Sequence, residues 1–303
     1  MAVQHVAPVL QAPVFSPDPL SPAVKQELLP HLWPLSGGEP QMRSPDEFDA
    51  YFTYLRQECR HGLHHDHAMQ SYADMVFILS IIRGNPSASL TDIRALISRL
   101  NSRLSSDDRK LSASIELAVR LWLMTSVRIL MPTHQDDFDV SLPWPDNQSL
   151  VDVLRRHMSQ PPSSPLSTLE HFSPYFNVAD MRNIAGFRVL WTNCLSDHLS
   201  IRGSSIYLFN QVSMLKRLRA SATRYGLLIP GEISRVGLDP DIMYRETADK
   251  RKAAYVYWRE RLLAASEIFD RTKPSTLVQW WYDRRDMGQW WGFWLVVVLK
   301  PSN

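Results

Sequence analysis

Over most of the chain, apolar residues recur every third or fourth position, the spacing that gives an α-helix one continuous apolar stripe. Phe48, Tyr51, Phe52 and Leu55 follow Ser44, Pro45, Asp46 and Glu47. Those four supply an N-cap, a first-turn proline and a capping-box acid, so a helix is predicted to start there. Residues 68–82 carry Met69, Tyr72, Val76, Phe77, Leu79, Ile81 and Ile82, apolar almost all round, and stop at Gly84, Asn85 and Pro86. That pattern predicts a central helix. Ser89 and Asp92 open another, with Ile93, Leu96, Ile97, Leu100 and Leu104 on one face. A fourth runs from Ser112 to about Leu130 and is ended by Pro132, and Ser149 caps a short one through Met158. Helix is predicted again at Gln211–Leu218. The stretch Thr247–Asp270 repeats Ala254, Tyr257, Trp258, Arg261, Leu262, Ala265, Ile268 and Phe269 at helical spacing.

Two short runs break this rhythm. Phe187–Thr192 and Ser205–Phe209 are aromatic and β-branched and are predicted to pair as a small antiparallel ribbon. The fold class expected is therefore mainly α, with a ribbon at about 187–192 and 205–209. Residues 1–43 hold eight prolines, from Pro8 to Pro40, and Gly37 with Gly38, which predicts a disordered or loosely draped arm. The body is expected over residues 44–272, with linkers near 132–148 and 159–174, and a separate tail over 273–303.

Composition narrows the chemistry. A net charge of +2 gives no strong field, so nothing in it signals a nucleic-acid partner. Two cysteines, Cys59 and Cys194, cannot build a disulfide framework or a cysteine zinc site, which fits an intracellular, reducing compartment. No secretory leader is expected from the first residues. No glycine-rich phosphate loop, Walker lysine or Gly-x-Ser-x-Gly elbow occurs, and no cofactor is expected. His61, His64 and His65 are weak metal candidates, because Gly62 interrupts the helix that would place them on one face. Lys216, Arg217, Arg219 and Arg224, and then Lys250, Arg251 and Lys252, offer basic clusters for RNA or anionic lipid, though such a basic flank is usually just the solvated face of a helix.

The tail stands apart. Five of the ten tryptophans fall between Trp280 and Trp294, with Arg284 and Arg285 between the aromatic pairs. Trp280, Trp281, Tyr282, Arg284, Arg285, Trp290, Trp291 and Trp294 are the candidate interface or membrane residues, because tryptophan suits a site dry at one end and wet at the other. Trp290–Leu299 is ten residues without charge, whereas crossing a bilayer takes about 20 helical residues. Two readings follow: a terminal element docked on the body, or an interfacial anchor with both arginines toward anionic lipid.

The segments Leu121–Met124, Trp144–Leu150, Ile184–Leu199 and above all Pro274–Arg285, together with Ile206, Tyr207, Leu208 and Phe209, resemble a widespread group of uncharacterised proteins from filamentous fungi. The resemblance covers roughly residues 110–299 and brings no chemistry with it. It implies that the motif Ser275, Thr276, Leu277, Val278, Gln279, Trp280, Trp281, Tyr282, Asp283, Arg284, Arg285 is followed by a hydrophobic anchor helix, which this chain carries in shortened form. It also implies a leucine-rich helix between Tyr225 and Asp249, from which this sequence departs. The leading expectation is a non-enzymatic interaction protein, its partner another protein or a membrane surface met through the tail. Alternatives are an enzyme or accessory factor acting on a small molecule in fungal secondary metabolism, resting on Asp197 and His198, and an RNA or anionic-lipid binder.

Overall fold

The computed structural model describes residues 7–33, 48–62, 66–105, 107–129, 141–158, 172–173, 176–211, 214, 217, 259–288 and 290–292. Helix dominates, as the periodicity predicts. The elements are α1 (Pro22–Leu32), α2 (Asp49–Gly62), α3 (Tyr72–Gly84), α4 (Leu90–Leu100), α5 (Asp108–Leu123), β1 (Val127–Arg128), β2 (Leu142–Pro143), α6 (Leu150–Met158), α7 (Val178–Asn183), β3 (Arg188–Thr192), β4 (Ile201–Arg202), β5 (Ser205–Phe209), α8 (Arg259–Arg271) and α9 (Leu277–Tyr282).

The caps explain where the helices begin. Ser71 with Asp74 and Ser89 with Asp92 form reciprocal capping boxes at α3 and α4, and Ser149 accepts the Asp152 N–H at α6. The helix predicted from Ser112 starts earlier, at Asp108, because Asp107 accepts the N–H groups of Arg109 and Lys110. It ends at Met124, whose φ of 51° turns the chain out of the helix.

The main core lies among α1 to α6 and includes the segment predicted to be loose. Leu10, Leu28 and Leu32 are fully buried, as are Tyr51, Ile78, Ile115 and Trp122. Residues 7–33 are thus a packed wall rather than a disordered arm; residues 1–6 and 34–47 lie outside the described set. Two of the prolines permit this because of where they stand, while Pro30 lies inside α1 near its end. Pro8 and Pro22 occupy first-turn positions, where the missing N–H would have had no helical partner. Polar links then fasten the wall: Trp33 Nε1 donates to Trp122 O at 3.2 Å, and Arg83 Nη1 donates to His31 O at 2.6 Å, capping the end of α1. The stretch expected as a linker near 132–148 is also packed where it is described. Trp144 is buried, and β2 pairs with β1.

A second, smaller core joins α7, the sheet and α8 through Met181, Ile184, Phe187, Ile206, Leu208, Ala265 and Phe269. The sheet lies where the two strand-like runs predicted it, but its pairing differs. β3 and β5 run parallel, and β4, which the sequence reading missed, pairs antiparallel with β5 in the order β3-β5-β4. Parallel pairing needs a crossover. Here residues 193–204 provide it, with Leu199 in the left-handed region at a φ of 59° and Gly203 at 58° in the two-residue hairpin that returns β4 to β5.

Candidate docking site in the tail

Among the described residues, Arg285 fastens the tail to α8. Arg285 donates through Nε and Nη2 to the two oxygens of Asp283, each at 2.8 Å. Its Nη1 reaches Phe269 O, its Nη2 reaches Thr272 O at 2.6 Å, and its guanidinium lies 4.9 Å from the centre of the Phe269 ring. It therefore caps the carbonyl end of α8, where a cation is favoured by the helix dipole. Burial alone would raise the Asp283 carboxyl, but hydrogen bonds and charge from Arg285 hold it below the usual carboxylate range.

α9 begins with another capping box, in which Thr276 accepts from Gln279 N–H at 3.2 Å and Gln279 Oε1 accepts from Thr276 N–H at 3.1 Å. At about 100° per residue, Leu277, Val278, Trp281 and Tyr282 share one side of this helix and Gln279 and Trp280 the other. The second side is turned to the body: Gln279 and Trp280 are half-buried, and Gln279 lies so close to Gly186 that an added Cβ there would stand 3.0 Å from Nε2. Gly186 also has a φ of 71°, so glycine meets a steric and a conformational demand together.

Among the described residues, the first side is mostly exposed. Leu277 and Val278 are each 63% exposed, and Trp281, Tyr282, Met287 and Trp291 are exposed with them. After Asp286 a further helical turn folds back, its Trp290 Nε1 donating to Trp281 O at 3.2 Å and its ring meeting that of Trp291 edge-on at 4.9 Å. Arg284 stands over the Trp290 ring at 5.9 Å and is exposed, so the two adjacent arginines do opposite things. The expectation that both face lipid is corrected for Arg285, which turns inward. Trp280 and Trp290 are half-buried, Trp281, Tyr282 and Trp291 exposed, and Trp294 lies outside the described residues. Leu277, Val278 and Met287 were missed as candidates, although the 277, 278, 281, 282 spacing marks that face. Among the described residues, no helix is long and apolar enough to cross a membrane.

The other candidates are placed differently. Asp197 accepts from Arg202 Nη2 at 2.8 Å, and His198 Nδ1 accepts the Phe209 N–H at 3.1 Å. Arg261, from α8, donates to Ser196 O and His198 O at 2.6 Å each. These contacts tie the crossover to β5 and α8. Burial, and then the Arg261 charge, lower the His198 pKa to about 4. Burial raises the Cys194 thiol, which lies 3.0 Å from Ser196 Oγ. Of the histidine run, His61 is exposed and His64 and His65 lie outside the described residues. Neighbouring His67 stacks on Phe15 at 5.0 Å. Among the described residues no three His, Cys, Asp or Glu side chains converge to hold a metal ion. Of the basic clusters only Arg217 is described, 5.7 Å from the Phe48 ring. Comparison with protein-family models, curated proteins and solved structures returns no match.

Proposed function

We propose that the chain is a non-enzymatic interaction protein that docks on a membrane surface through its tail. The observation that carries this is the exposed side of α9, formed by Leu277, Val278, Trp281 and Tyr282, with Met287 and Trp291 exposed in the turn that follows, on a segment otherwise tied down. Exposed apolar side chains scattered singly need no explanation, but a contiguous helix face rich in tryptophan and tyrosine, rimmed by a cation, suits the interfacial zone of a bilayer. The resemblance to the filamentous-fungal group supports the same direction, since its members continue from this motif into a hydrophobic anchor.

Asp197 and His198, on which a small-molecule enzyme would rest, engage Arg202 and Phe209 within the fold. The tail is the better-supported site. Flotation with phosphatidylcholine vesicles containing phosphatidylserine tests the proposal. The full chain is expected to float. A Trp281→Ser, Trp291→Ser double variant is expected to lose binding by at least about tenfold, given about 1.5–3 kcal/mol for burying one large apolar side chain. Recovery of the unaltered chain entirely in the soluble fraction would sink the idea.

A further inference from the structure

Among the described residues, the sheet ends on one side in β3, which has no strand beyond it, although the Phe187 N–H just before it is taken by Met181 O at 3.1 Å. In a parallel ladder alternate residues of a strand turn both N–H and C=O toward the neighbour. Arg188 donates its N–H to Ser204 O at 2.8 Å and Thr192 O accepts the Asn210 N–H at 3.2 Å. With the register Arg188↔Ser205 through Thr192↔Phe209, this fixes the phase: Arg188, Leu190 and Thr192 face β5. Val189 and Trp191 therefore direct two donors and two acceptors away from the sheet. No other strand among the described residues lies on that side.

Edges are commonly guarded by a proline, a bulge or a charge midway along the strand. β3 has none of these. It pairs residue for residue with β5, and its one charge, Arg188, sits at its start. Trp191 is 63% exposed, while Val189 is half-buried against the second core.

We propose that β3 pairs antiparallel with β3 of a second copy of this chain, about a two-fold axis at Leu190. The identical strand is the fitting occupant because this register is self-complementary. Val189 meets the partner's Trp191 and Trp191 meets the partner's Val189, so the four outward backbone groups of each copy close four hydrogen bonds across the axis. Arg188 meets the partner's Thr192, so no like charges oppose each other. The exposed indole of Trp191 lies beside the partner's Val189, and two three-stranded sheets become one of six. The proposal is independent of the tail.

The mass in solution of the full chain, by sedimentation equilibrium at micromolar concentration, is expected to be that of a dimer. Val189→Pro removes an outward donor on an edge strand, where proline is tolerated, and should weaken the dimer by at least about tenfold with an unchanged circular-dichroism spectrum. Mild oxidation gives a register-specific readout. Two copies of position 190 face each other at a Cα separation of about 4.5 Å, within disulfide reach, so Leu190→Cys should cross-link in excess of the unaltered chain. Two copies of position 188 lie four residues apart along the ladder, about 13 Å, so Arg188→Cys should not. A monomer at all concentrations, a dimer unmoved by a folded Val189→Pro variant, or equal cross-linking at 188 and 190 would each overturn it. If Val189→Pro unfolds, the cysteine pair decides alone.

Discussion

The two ends of the described chain invert what their compositions suggest. The first is rich in proline and is buried: Leu10, Leu28 and Leu32 have no exposure at all. The last is rich in tryptophan and shows its aromatic face to solvent. What separates them is where each finds partners for backbone and apolar groups. Residues 7–33 meet the broad faces of α2, α3 and α5, so burial outweighs the turn-forming prolines. Among the described residues, 274–292 meet α7, Gly186 and the end of α8, and these contacts leave one side of α9 exposed. Bulk hydrophobicity of a segment is thus a poor guide to its burial without the area of its counterpart.

The largest effect is expected from hollowing the first end. Leu28→Ala is expected to cost about 3 kcal/mol in denaturant unfolding, because a fully buried leucine leaves a cavity. A cost near zero would mean that the N-terminal wall is only resting on the body. Arg285→Ala comes next. It leaves the Asp283 carboxylate unpaired and two carbonyls at the end of α8 without their cap, for about 2 kcal/mol of local stability. The readout is faster hydrogen exchange over residues 274–292 with global stability little changed.

Acid should loosen the crossover that holds His198 and, at lower pH, the tail that holds Asp283. His198 has a folded pKa of about 4 against 6.5, and Asp283 lies below its ordinary 3.8. Both folded values are depressed, so the unfolded state binds more protons. The stability each group contributes is full at neutral pH and is lost on acidification. For His198 the loss starts below about 6.5 and is complete near 4; for Asp283 it follows below the carboxylate range. His198→Asn, whose amide oxygen can accept the Phe209 N–H, should flatten the slope between pH 6.5 and 4 in denaturant titrations. An unchanged slope would assign the effect elsewhere. The smallest stability change is expected at the exposed face itself: Leu277→Ser with Trp281→Ser should alter unfolding free energy by no more than about 0.5 kcal/mol while lowering vesicle binding.

Much of the helical body was legible because capping and periodicity are local. Ser89 with Asp92 and the apolar run of α3 state their structure within a few residues. The N-terminal wall was not, since a proline at a first turn and a proline in a loop read alike until a partner surface is known. Nor was the parallel pairing. Two strand-like runs 12 residues apart suggest a hairpin, and only the turn at Leu199, fastened by its N–H to Tyr207 O at 2.7 Å, makes the crossover so short. In the tail, aromatic density marked the region. The opposite fates of Arg284 and Arg285 were hidden because adjacent identical residues carry no local sign of which one meets a helix end.

The bond between Arg285 and the end of α8 also sets geometry. A body hung from a supple leash would sample many tilts on a surface and would lose that freedom on docking. Here the aromatic plane is keyed to the axis of α8 before any encounter, so much of the orientational entropy is already gone. The surface would meet the protein in one attitude, with α8 and the small sheet held at a fixed angle above it.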